Sequence, residues 1–229
     1  MKIKKSSGAL LLGIAAAVLA AGCSTTPKTT ESGFLPDYSL LRQAPAPDGG
    51  TRLVYLNPDF NPSRYTAVWL DPVVYYPDPQ PSADVSMETL TEIRDAVNET
   101  LRRKVGQQVR LVDRAEPGVA HIRIAITAVG TSEQALRAYQ YIPIALVMTE
   151  ARAAMEGGMA RNATVAIESR VTDSVTDELL YASVRGGTGE KVANATQGAG
   201  GVRLSKLQPL IDEWTTGAAR EIGKYVRQR

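Results

Sequence analysis

The chain has 229 residues, with 26 Lys and Arg against 24 Asp and Glu and a formal net charge of +2. That balance leaves out the strongly basic footprint of a nucleic-acid binder. A single cysteine leaves out an internal disulfide framework, so stability must come from a buried core, which a chain of this length can build.

The N-terminus is a targeting pattern. Lys2, Lys4 and Lys5 precede a run of apolar and small residues from Ala9 to Ala21. The run is shorter than the roughly 20 residues a membrane span takes, and it fits the apolar core of an export signal. It ends in Leu19-Ala20-Ala21-Gly22-Cys23. This ending resembles the lipobox of bacterial lipoproteins, with Ala20 where Leu is common and Leu19 one place further back. The resemblance implies cleavage before Cys23, lipid on its thiol, and firm attachment through several acyl chains. Ser24, in place of the Asp that retains lipoproteins in the inner membrane, implies the periplasmic face of the outer membrane. Removing residues 1–22 takes away three of the 26 basic residues and no acid, leaving 23 against 24.

Residues 23–32 read as a flexible tether. Residues 33–65 read as an irregular, proline-rich arm. Its Phe34, Leu35, Tyr38 and Tyr55 are too apolar for a disordered tail, so it is expected to lie on the domain surface. Residues 66–229 are expected to form one domain. Thr66–Tyr75 predicts a strand interrupted near Pro72. Ser86–Val105 predicts a helix with apolar residues every three or four positions, Ser86 as N-cap, Arg102, Arg103 and Lys104 at its end, and Gly106 as the stop. Val109–Val112 is a short strand. Ala120–Val129 alternates strictly: Ile122, Ile124, Ile126 and Ala128 face one way, and His121, Arg123, Ala125 and Thr127 face solvent or a partner.

Residues 130–161 read as an insertion holding an apolar stretch, with Tyr139, Tyr141, Ile142 and Met148 available for contacts between copies. Ala163–Val171 and Glu178–Arg185 predict an antiparallel pair joined by a polar turn. Gly186–Gly201 reads as a glycine-rich loop. Its Gly186–Lys191 segment lacks the Gly-Lys-Ser/Thr ending of a phosphate-binding loop. A last helix starts near Ser205 or Pro209, with Ser205 and Gln208 at capping-box spacing. The expected class is α+β (mixed α/β): a single sheet of about four to five strands with helices packed on one face.

Chemistry-bearing patterns are sparse. A catalytic triad needs a histidine near a nucleophile, and the only histidine, His121, lies on the polar face of a strand, where it reads as a surface or half-buried residue. With Cys23 acylated and His121 alone, a zinc site with three or four ligands is not expected, and no cofactor is implied. Asp37, Asp71, Asp113, Glu168 and Asp173 could serve a glycosidase-like pair only if two of them met across a cleft. His121, Arg123 and Thr127 are the candidate partner-contact residues.

Several stretches together resemble a bacterial lipoprotein family catalogued as domain of unknown function 3313. They are Ser32–Leu41, Tyr55–Pro58, Arg64-Tyr65 leading into Val68–Val73, Ala120–Val129, Glu168–Leu180, and Trp214. The element order also looks like envelope domains of peptidoglycan-synthase activators and curli-type secretion lipoproteins, a likeness of fold only. The expectation is a non-enzymatic binding or assembly module of the cell envelope, meeting envelope proteins or itself and no nucleic acid. A subunit of an oligomeric export assembly and an envelope-polymer hydrolase are the alternatives.

Overall fold

The computed structural model describes residues 31–47, 51–82, 84–131, 161–192 and 201–227. Residues 1–22 expected to form a signal, Cys23, most of the expected tether and nearly all of the expected 130–161 insertion therefore lie outside the described residues. The described chain forms a mixed α/β structure with two helices and one eight-stranded sheet. The strands are β1 (Arg42–Pro45), β2 (Thr51–Leu56), β3 (Ala67–Leu70), β4 (Val74–Tyr75), β5 (Leu111–Val112), β6 (Val119–Thr131), β7 (Arg161–Asp173) and β8 (Leu179–Val192). Their order is β1-β2-β8-β7-β6-β3-β5, with β4 also on β6. β3 runs parallel to β5 and β6, and the β6-β7-β8-β2-β1 half is antiparallel.

The expected four to five strands undercount this sheet. Two of the missing strands, β1 and β2, come from the arm read as irregular. Thr51–Leu56 has the aromatic and β-branched residues of a strand, and it pairs Leu53–Leu56 with Tyr181–Val184 of β8. The prolines flanking it hid this pattern.

Both helices pack on one face of the sheet, here called the front. Helix α1 (Met87–Gln108) buries Leu90, Ile93, Val97, Leu101 and Val105, and the Ser86 hydroxyl caps it by accepting from the Thr89 N–H at 3.1 Å. Gly106 does not stop it. The helix runs on until Val109 turns extended and is buried completely. Hence the basic cluster is not at the helix end. Arg102 donates to the Leu70 carbonyl at 2.6 Å, and Lys104 donates to Asp212 and Thr216 on the second helix at 2.7 Å.

Helix α2 (Leu204–Tyr225) starts at Arg203 with no side-chain cap, so the expected capping box does not form. It buries Leu207, Ile211 and Trp214 against α1 and β8. The expected loop from Gly186 is instead the second half of β8, as far as Val192. Its glycines supply closeness. A Cβ on Gly187 would stand 2.2 Å from the Trp214 ring, and one on Gly189 would stand 2.4 Å from the Lys206 carbonyl oxygen. Bare backbone here lets α2 lie directly on the strand.

Two irregularities reset which side chains face the helices. Between Leu70 and Val74, the β3–β4 segment spends one residue more than β6, a kink around Pro72. In β6 the register with β7 shifts between Ile126 and Ala128. The bulge turns Ala128 to the back of the sheet, opposite Ala166, and brings Val129 to the front core, against the strict alternation expected.

The two kinds of glycine respond oppositely to a methyl group. Gly187→Ala is expected to cost about 1–3 kcal/mol through overpacking against Trp214. Gly106→Ala, inside α1 and facing only the tip of Leu111 at 3.3 Å, should be neutral or stabilise by up to about 1 kcal/mol. Thermal denaturation of the two variants beside the parent measures both.

Candidate functional site

The back of the sheet is covered by the start of the arm. Phe34, Leu35, Tyr38 and Leu41 pack on Ala125 of β6 and on Ala182 and Val184 of β8. At the centre is Glu168 of β7, only 1% exposed and opposite Val184 in the ladder. The Tyr38 hydroxyl donates to Glu168 Oε2 at 2.6 Å and accepts from the Gly33 and Leu35 N–H groups at 3.1 and 3.3 Å. It also shares a hydrogen bond with the Ser32 hydroxyl at 2.9 Å. Gly33, at φ +86°, supplies the left-handed turn that wraps the chain around that hydroxyl. Burial raises the Glu168 pKa above its ordinary value, against the lowering effect of the Tyr38 bond. Burial, with help from Glu168, pushes Tyr38 up to about 12.

Further along the same face, the His121 ring stacks on Trp69 with centroids 3.8 Å apart and planes within 5°. His121 Nε2 lies 2.9 Å from Asp71 Oδ2, but off the N–H direction, so the contact is electrostatic rather than a formed hydrogen bond. Arg123 reaches His121 Nδ1 at 3.3 Å and stands 3.8 Å from Asp71 and 3.7 Å from Asp177. Directly opposite Arg123 in the ladder is Arg170, whose guanidinium lies over the Phe34 ring at 5.2 Å.

The three sequence-predicted contact residues thus divide. His121 and Thr127 are buried, at 5% and 7% exposure, and Thr127 lies in the bulge. Arg123 alone stays half-exposed, among Asp71 and Asp177. Up to Ile126 the alternating pattern of β6 correctly separates two faces, but it carries no signal that Trp69 and the arm shield the second. The candidate acids also disperse. Asp37 caps the turn at Ser39, Asp173 accepts from Tyr65, Val175 and Thr176, and Asp113 is exposed. Among the described residues, no three His, Cys, Asp or Glu side chains are grouped to hold a metal ion. No described helix is long and apolar enough to cross a membrane.

Sequence reasoning missed a cavity of about 160 Å³ on the front of the sheet. Its walls are apolar, built from Val97 and Leu101 of α1, Ile122, Ile124 and Ile167 of the sheet, and Trp214 and Ile222 of α2. One side is polar. Arg52 makes two bonds to Glu221, at 2.5 and 2.6 Å, and a third to the Tyr181 hydroxyl at 2.8 Å. The Ser169 and Ser183 hydroxyls, also on the wall, are 2.7 Å apart.

The profile of the family described as protein of unknown function (DUF3313) matches residues 30–218. Two proteins named uncharacterized lipoprotein YdcL, from Escherichia coli strains K12 and O157:H7, are each 28% identical over 218 residues, covering 94% of this chain and 96% of theirs. Among solved structures, a PelC dodecamer from Paraburkholderia phytofirmans overlaps with a TM-score of 0.35 at 12% identity, covering 73% of this chain and 98% of that one. A lipoprotein from Caulobacter crescentus overlaps with a TM-score of 0.31 at 11% identity, covering 71% and 89%. Overlaps this low carry no argument about assembly.

The Tyr38–Glu168 bond can be tested by stability. Tyr38→Phe should cost about 1.5–3 kcal/mol, the range for a hydrogen bond to a charged group, and speed amide exchange across residues 32–41. Because the folded pKa of Glu168 is raised, the folded state holds its proton more tightly. Stability from this group is complete below the ordinary 4.5 and is lost as pH rises through the folded value. Glu168→Gln keeps an acceptor for Tyr38 and should flatten that fall in a pH series of urea melts.

Proposed function

This chain belongs to the family described as protein of unknown function (DUF3313), and from that membership we propose that it is a lipoprotein carried through Cys23 on the periplasmic face of the outer membrane, where it acts as a non-enzymatic binding or assembly module. The kinship with proteins named lipoproteins and the Leu19–Cys23 sequence support the anchor. The observation that carries the binding role is the charged group formed by half-exposed Arg123 and Asp71 with exposed Asp177. It lies beside the Trp69–His121 stack. A cluster of both charge signs suits polar recognition of a partner more than raw affinity.

Among the described residues, the candidate acids do not favour the hydrolase alternative. Asp71 contacts His121, while Glu168 lies opposite Ala125, four residues on, which is roughly 13 Å of strand. That exceeds the spacing of about 5–10 Å at which two carboxyls serve one glycosidic bond. Glu168 is also sealed under Tyr38.

Two measurements bear on this reading. Cys23→Ala should abolish palmitate labelling and leave the chain uncut at its precursor mass, and Ser24→Asp should move the labelled protein to the inner membrane. Parental palmitate labelling of Cys23→Ala removes the anchor from the proposal. For the contact, Arg123→Glu should reduce crosslinked partner at least tenfold in cells, at an unchanged melting temperature. Undiminished capture means that another surface makes the contact.

A further inference from the structure

The front cavity is independent of the surface just described, and its chemistry is specific. A comparable volume of about 150 Å³, apolar and dry, takes up a benzene-sized ligand. The space here suits one ring or a segment of roughly six to eight carbons. It is open to solvent, and Leu56, 44% exposed, stands at the rim.

The polar side of the cavity is the informative part. The Arg52 guanidinium is neutralised in place by Glu221, and the other cation on the wall, Arg185, lies over the Trp214 ring at 4.5 Å. Yet Arg52 Nε is buried without an acceptor. The Ser169 and Ser183 hydroxyls bond to each other and Ser183 also bonds to Tyr181, so two contacts use two of three hydroxyl protons and leave one to donate. The wall therefore offers donors beside a carboxylate. An uncharged acceptor such as an ester carbonyl or a hydroxyl oxygen fits those donors. A free carboxylate or phosphate would be placed against Glu221.

We propose that this cavity binds a neutral single-chain amphiphile, its alkyl segment between sheet and helices and its ester or hydroxyl oxygens on Arg52 and the serine pair. The ligand is a free molecule.

Trp214 on the cavity wall is a built-in reporter, because the chain has only two tryptophans and Trp69 lies on the opposite face. In the mature chain carrying Trp69→Phe, monooctanoylglycerol added below its micelle concentration should change Trp214 emission saturably. Octanoate, with the same chain and a negative head, should bind at least tenfold more weakly. Ala218→Leu, which fills the space from α2, should weaken binding at least tenfold. A diazirine-bearing monoacylglycerol should label peptides around Trp214 and Ile222, and this serves even if the filled variant fails to fold. The proposal is overturned by no saturable response, by octanoate binding as tightly as the ester, by a folded Ala218→Leu variant that binds normally, or by labelling confined to other peptides.

Discussion

A carboxylate that no water reaches must be neutralised or held by a donor, and in this protein the Tyr38 hydroxyl holds one oxygen of Glu168 while the other is buried without a partner. Much else follows from it. The hydroxyl can reach β7 only if the segment from Ser32 to Leu41 lies across the back of the sheet. Once there, Phe34 and Leu35 cover Ala125, Ala182 and Val184, which would otherwise form a bare apolar patch. The same segment leads directly into β1 and β2, which complete that edge of the sheet. The most distinctive sequence of the family resemblance, Ser32 to Leu41, is thus a clasp closing over one acid.

The front is governed by size rather than charge. At Gly187 and Gly189 the strand has no side chains, and α2 lies against its backbone. Toward the other end of the contact, Arg185, Ser183 and Tyr181 stand up from the same face of β8 and hold the helix off. The cavity is the wedge left between these two separations. Arg52 and Glu221 close part of its outer end with a bidentate pair, at 13% and 15% side-chain exposure.

Elements governed by a local period were legible in the sequence. The α1 stripe from Leu90 to Val105, the β6 alternation up to Ile126 and the β7–β8 turn near Asp173 needed no tertiary information. What escaped depends on distant neighbours. Gly186–Val192 reads as loop-like by composition, and only pairing with the distant β7 makes those glycines strand residues. His121 reads as a surface residue by alternation, and only the parallel neighbour β3 brings Trp69 over it. The cavity could not be read, because its walls come from strands and helices scattered from Pro47 to Val226.

The clasp also sets a mechanical length. Ser32 is the first described residue whose side chain ties it to the body, through Tyr38. With lipid on Cys23 as proposed, the leash from membrane to body has nine residue steps and a full reach of about 30 Å. If the clasp let go as far as Arg42, where β1 begins, ten more residues would pay out and the reach would roughly double to about 65 Å. The packing of Phe34, Leu35, Tyr38 and Leu41 and the Tyr38–Glu168 bond together set which of these two lengths applies.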